Sequence, residues 1–147
     1  MRKTSQTGAR PRAGAAQGPV AAGRTVLVVD EDANLRGLIE TLLHRAGYQV
    51  LTAEDAATAQ IHIRSRAADL LIMDLALPDM DGFTFLGQLK GDPATHALPV
   101  LVVTGYSDLE YRVRSSEKGA AGFLSKPFRG GDLVAEVDRI LDQARHP

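Results

Sequence analysis

Five short apolar runs recur along the chain at a nearly even interval: Thr25 to Val29, Tyr48 to Ala53, Leu70 to Met73, Val100 to Val103 and Ala121 to Leu124. Each has the length of a β-strand, and most are almost unbroken in Val, Leu, Ile or Met. A strand with one solvated face alternates apolar and polar residues, whereas a strand buried on both faces reads as a continuous run. The pattern therefore predicts a parallel sheet covered on both sides. Tyr48 to Ala53 is more mixed, which predicts a position at the sheet edge.

The intervals between the runs carry helical patterns. Leu35, Leu38, Ile39, Leu42, Leu43 and Ala46 recur at helical spacing, and Gly47 follows where a left-handed terminator belongs. Leu133, Val134, Val137, Ile140, Leu141 and Ala144 repeat the pattern behind Asp132, which is expected to be the N-cap. Weaker patterns cover Asp55 to Ala67, Gly82 to Lys90 and Ser107 to Lys118. The last opens with Ser107 and Glu110 in capping-box spacing but has only Leu109 and Val113 as apolar anchors, so a loosely held helix is expected. Five strands alternating with five helices, under the right-handed crossover rule, predict an α/β fold of (βα)₅ type: a doubly wound five-stranded parallel sheet in the order 2-1-3-4-5.

The 147 residues suffice for one cored domain. The absence of cysteine excludes disulfides, thiolate metal sites and thiol nucleophiles. No uncharged apolar run approaches the roughly 20 residues of a membrane span, and no secretory signal opens the chain, so a cytoplasmic location without membrane contact is expected. The net charge of −1 conceals an asymmetry. Residues 1–24 carry Arg2, Lys3, Arg10, Arg12 and Arg24 with no acidic residue, while 25–147 hold 12 basic against 18 acidic residues. The first segment is rich in Gly, Ala, Pro and Gln and is expected to be a disordered basic tail, with the folded domain over 25–147. Its charges are too scattered for a nucleic-acid or membrane tether, and a solvated extension is the simpler reading. His44, His62, His96 and His146 show no paired spacing and are read as surface residues.

In doubly wound sheets the chemistry gathers beyond the carboxyl ends of the strands. Here the first strand runs into Asp30, Glu31 and Asp32, the third into Asp74, the fourth ends at Thr104, and the fifth is followed by Lys126 and Pro127. Each acidic residue alone would pass as a helix cap. Together, on neighbouring strands, Asp30, Glu31 and Asp74 are expected to meet in one cleft with Thr104 and Lys126 opposite. Crowded carboxylates need a compensating cation; oxygen-only ligands favour Mg²⁺, Mn²⁺ or Ca²⁺, and a small open cluster without a dedicated cage suits Mg²⁺, with Mn²⁺ also able to serve. A carboxylate facing a divalent ion, a hydroxyl and an ammonium can attack phosphorus and form an acyl phosphate.

Val28-Val29-Asp30-Glu31-Asp32, the stretch from Met73 to Gly82, Val103-Thr104-Gly105 and Ser125-Lys126-Pro127-Phe128 resemble the receiver domain of two-component response regulators, of the chemotaxis-regulator type. The resemblance covers about residues 24 to 145 and implies a flavodoxin-like fold. It implies that Asp74 accepts a phosphoryl group from a phosphohistidine, and that Asp30, Glu31, Asp74 and the Ala76 backbone carbonyl hold Mg²⁺. Lys126 would bind a phosphoryl oxygen ahead of a cis bond to Pro127, and Thr104 and Phe123 would form the switch pair. Glu31 stands where a second Asp is frequent, Gly105 where Ala is usual, and Phe123 where Tyr is common.

Ala76 cannot orient an attacking water by hydrogen bonding, and Tyr106 is large enough to cover the site, so slow self-dephosphorylation is expected. The family implies a sensor histidine kinase or histidine phosphotransfer protein as donor. Because the pattern ends near the chain terminus, output is expected through a partner protein on the Ser107 to Gln143 face, without direct DNA binding. A monomer or a phosphorylation-dependent dimer would serve. Two other classes fit less well: a small-molecule phosphatase would want an acid where Ala76 stands, and a binding module without phosphorylation would be expected to have lost Asp74, Thr104 or Lys126.

Overall fold

The computed structural model describes residues 20–145, and the expected tail over 1–19 and His146 lie outside them. Five strands, β1 (Thr25–Val29), β2 (Gln49–Ala53), β3 (Leu70–Met73), β4 (Val100–Thr104) and β5 (Gly122–Ser125), form one sheet in the order β2-β1-β3-β4-β5. Every pairing is parallel. Five helices connect and follow them: α1 (Ala33–Arg45), α2 (Ala56–Arg64), α3 (Gly82–Gly91), α4 (Leu109–Glu117) and α5 (Gly130–Arg145). This is the architecture expected from the apolar rhythm, with mixed β2 at an edge.

Side chains alternate across a strand, and the central strands show why they had to be apolar throughout. Leu27, Val29, Leu71, Met73, Val100 and Val102 face one way and pack with Ala59, Ile63, Phe85 and Leu86 of α2 and α3. Val26, Val28, Leu70, Ile72, Leu101 and Val103 face the other and pack with Ile39 and Leu43 of α1 and Leu133, Val137 and Ile140 of α5. Two cores thus share one sheet. A tie between core and surface comes from buried Tyr48, whose hydroxyl donates to Asp138 Oδ1 on α5 at 2.5 Å. Burial, reinforced by the hydrogen bond and the charge of Asp138, holds the Tyr48 phenol well above its ordinary titration range.

Aspartates set most helix starts. Asp32 Oδ1 accepts from Asn34 and Leu35 amides, Asp55 from Thr58 and Asp81 from Thr84, each supplying an acceptor for the orphan amides of a first turn. At the other end of α1, Gly47 takes φ +100°, the left-handed conformation that terminates the helix.

Four expectations need correction. Asp132 is not an N-cap: α5 starts at Gly130, so Asp132 lies in its first turn, where its charge still opposes the positive helix end. Ser107 does not cap α4, which begins behind Asp108 with no side-chain cap. His62 is half-buried rather than superficial. The ordered body begins before residue 25: residues 20–23 form a turn, Ala21 is buried against the α1/α5 core, and the Arg24 carbonyl accepts from the Gln49 amide.

Candidate functional site

Register brings the site together. Val29 pairs with Met73, so the residues that follow, Asp30 and Asp74, emerge side by side, and the Asp74 amide donates to the Val29 carbonyl at 3.3 Å. Thr104 pairs with Ser125, which places Lys126 one step beyond, its amide on the Thr104 carbonyl at 2.8 Å. Four chemically active side chains are therefore delivered by the ends of four strands.

Asp74 is buried, and both its oxygens are engaged. Oδ1 accepts from the Thr104 hydroxyl at 2.7 Å and the Ala76 amide at 3.1 Å. Oδ2 accepts from the Lys126 ammonium at 2.6 Å. The same ammonium donates to Asp30 Oδ2 at 2.7 Å, while Asp30 Oδ1 accepts from the Asp32 amide at 2.9 Å. Burial works against the charge on Lys126, but hydrogen bonds and attraction from Asp30 and Asp74 outweigh it and hold its pKa above the ordinary 10.5. Lys126 thus sits between the two carboxylates as a fixed cation, and the Lys126–Pro127 bond behind it is cis.

The acidic trio is a pair in this arrangement. Glu31 is exposed, and among the described residues no group of three acidic or histidine side chains is set to hold a metal ion. Glu31 directly follows Asp30, so the chain has already turned toward α1, and the gap between Asp30 and Asp74 is filled by Lys126. The donor chemistry nevertheless suits a hard divalent cation: only oxygens are offered, and two carboxylates already converge on one positive centre.

Several supporting contacts carry no mark in the sequence pattern. Arg36 of α1 donates to the Asp30 carbonyl at 2.6 Å, fixing the backbone below one carboxylate. Asp79 accepts from the Ala56 and Ala57 amides at 2.9 Å each, tying the loop after Asp74 to the start of α2. Gly82 is required by packing: a Cβ there would lie 2.5 Å from Leu75 Cα, one residue from Asp74. The Pro78-Asp79 turn signal was the one available hint.

Tyr106 is half-exposed at the end of β4. Its amide donates to Thr104 Oγ1 at 3.2 Å, and its ring stacks on Tyr111 at 5.3 Å, which in turn lies parallel to Phe83 at 6.2 Å. These rings, with Leu75, Ala76, Leu77 and Asp81, line a cavity of about 360 Å³. Tyr106 and Ala76 therefore line one cavity, and the Ala76 amide donates to Asp74 Oδ1. Phe123 is half-buried on β5 with the Arg112 guanidinium 4.8 Å from its ring centroid.

The sequence profile of the response regulator receiver domain matches residues 26–138. The chain belongs to this family. The receiver domain is 36% identical over 123 residues to the transcriptional regulatory protein GltR of Pseudomonas aeruginosa, covering 84% of this chain and 51% of GltR. It is equally similar, at 36% over 123 residues, to the DNA-binding transcriptional regulator NtrC of Rhizobium meliloti, covering 84% of this chain and 25% of NtrC. The receiver domain thus spans half or less of the length of these curated relatives. Among solved structures, a response regulator from Chloroflexus aurantiacus superposes with TM-score 0.77 at 35% identity, covering 81% of this chain and 98% of that one. The chemotaxis response regulator CheY4 of Vibrio cholerae gives TM-score 0.74 at 30% identity, covering 80% and 98%. A receiver domain of two-component signalling is accordingly what this fold serves, and no helix among the described residues is long and apolar enough to cross a membrane.

Proposed function

We propose that this receiver domain is a phosphorylation-activated switch or phosphorelay intermediate, in which Asp74 takes a phosphoryl group in the cytoplasm from the phosphohistidine of a sensor kinase or phosphotransfer protein. The observation that carries the reading is the convergence of Thr104 Oγ1 and Lys126 Nζ on the two oxygens of one buried carboxylate. An Asp74 oxygen forms the new bond to phosphorus as the phosphorus–nitrogen bond of the donor breaks, and the imidazole leaves with its electron pair and takes up a proton. Lys126 neutralises charge on the transferred group, and the Thr104 hydroxyl turns from Asp74 to donate to a phosphoryl oxygen. Mg²⁺ or Mn²⁺ held by Asp30 and Asp74, with Glu31 and the Ala76 carbonyl available, would supply further charge neutralisation.

Loss of the Thr104 hydroxyl from Asp74 would free space beside β4 for Phe123 to turn inward, so Thr104 and Phe123 act as the switch pair. The change would reach the surface between Ser107 and Gln143, where a downstream protein reads it. Ala76 and Tyr106 govern access of water to the acyl phosphate. Incubation with acetyl phosphate and Mg²⁺, followed by intact mass, tests the reading. One added phosphoryl group in the wild type, absent in Asp74→Asn and in the presence of a chelator, is expected. Equal labelling of Asp74→Asn, or no labelling of the wild type, would overturn it.

A further inference from the structure

Helix α4 is held to the domain in an unusual way. Its one buried residue is Ser115, while its aliphatic side chains Leu109 and Val113 are 74% and 45% exposed. The contacts it makes inward are to rings: Tyr111 and Arg114 meet Phe83, with the Arg114 guanidinium 4.1 Å from the centroid, and Arg112 meets Phe123. The two arginines thus face one aromatic on each side of the helix. The Phe83 ring is 5% exposed and packed into the core, so it is a fixed anchor. The Phe123 ring is different. It is half-buried, and it lies between two spaces, one of about 550 Å³ bounded also by Pro127 and Phe128 and one of about 210 Å³ bounded by Ser115 and Gly122. Arg112 borders both. Its guanidinium makes no hydrogen bond or ion pair with any described residue, so its charge is directed at the ring and at solvent.

We propose that Arg112 is a positioning residue for the switch ring: its guanidinium holds Phe123 in the half-buried position and sets how readily the ring moves toward Thr104. The proposal rests on the reading of Thr104 and Phe123 as a switch pair, and adds to it a residue on α4 that biases the pair before any phosphoryl group arrives. A cation over an aromatic face at an exposed site stabilises by an amount equivalent to roughly a two- to fivefold change in an equilibrium constant. Removing the guanidinium therefore raises the population with the ring inward by about that factor. The inward-ring state is the one that takes the phosphoryl group most readily, so a larger population of it raises the labelling rate in proportion.

The chain has four phenylalanines, so incorporation of 4-fluorophenylalanine gives a fluorine spectrum of four resonances, with Phe123 assigned by Phe123→Leu. The first arm compares the wild type with Arg112→Ala and Arg112→Lys without any phosphodonor. The Phe123 resonance is expected to move in Arg112→Ala and to move less in Arg112→Lys, while those of Phe83 and Phe85 stay. The second arm follows labelling by acetyl phosphate and Mg²⁺. Arg112→Ala is expected to label roughly two to five times faster than the wild type, and to have no effect in a Phe123→Leu background. An unmoved Phe123 resonance, or an equal rate effect with and without the ring, would overturn the proposal. If no variant is labelled, the phosphoacceptor reading fails, and the fluorine arm still decides whether Arg112 holds the ring.

Discussion

Replacing Lys126 by Met removes the one cation that separates Asp30 from Asp74, and the geometry allows the consequence to be sized. The ammonium lies 2.7 Å from Asp30 Oδ2 and 2.6 Å from Asp74 Oδ2, so those two oxygens are no more than about 5.3 Å apart. At an effective dielectric constant of about 20, each attraction is worth about 6 kcal/mol and the repulsion between the carboxylates about 3 kcal/mol. Most of the attraction is offset by desolvation of the ions. What the variant retains is the repulsion, reduced because Lys126 is partly exposed and solvent enters where it stood, which leaves a loss of about 1–3 kcal/mol at pH 7. Met fills a similar volume, so packing contributes little.

Urea denaturation of both proteins in a chelating buffer reads this difference directly. Added Mg²⁺ is expected to shrink the deficit, stabilising the variant more than the wild type, because the competing ammonium is gone. A deficit unchanged by Mg²⁺, or no deficit in chelator, would refute the electrostatic account of the site. In the wild type the sign at alkaline pH is set by the raised pKa of Lys126. Its stabilising contribution is full below the ordinary 10.5 and is lost as pH rises through the higher folded value.

Ala76→Asn and Tyr106→Glu each place a group able to orient water beside the acyl phosphate, and either is expected to shorten the phosphorylated lifetime severalfold; unchanged decay in both would remove these side chains from control of hydrolysis. Tyr48→Phe deletes the hydroxyl that donates to Asp138 and is expected to cost about 1–2 kcal/mol in urea denaturation, without changing the labelling rate. Gly82→Ala brings a Cβ to 2.5 Å from Leu75 Cα and must displace the loop that carries Asp74, so it is expected to cost at least about 2 kcal/mol and to slow labelling together.

The parts of this fold that were legible in the sequence are those where one physical requirement acts on consecutive residues. Leu70 to Met73 had to be apolar at every position because Leu70 and Ile72 enter one core while Leu71 and Met73 enter the other. Asp30, Asp74, Thr104 and Lys126 were legible because a sheet of known order places strand ends together. Glu31 shows the limit, since its neighbour's position predicted the cleft but not which way its own side chain points. Ser107 and Asp132 had the right residue types for caps one or two positions from where the helices begin, and tertiary placement of α4 and α5 decided the starts. Asp79 caps a helix start more than twenty residues away, Arg112 meets a ring on the following strand and Arg36 reaches back six residues to a carbonyl, and no spacing rule selects a particular arginine to meet a particular ring or carbonyl.

The central claim is that Asp74 itself becomes the acyl phosphate. Labelling with acetyl phosphate and Mg²⁺, followed by borohydride reduction and peptide mass analysis, locates the bond, because reduction converts a phosphorylated aspartate into homoserine. Homoserine at position 74 alone, and none in Lys126→Met labelled for the same short time, is the predicted result. Homoserine at Asp30 or at another carboxylate, with position 74 untouched, would contradict it.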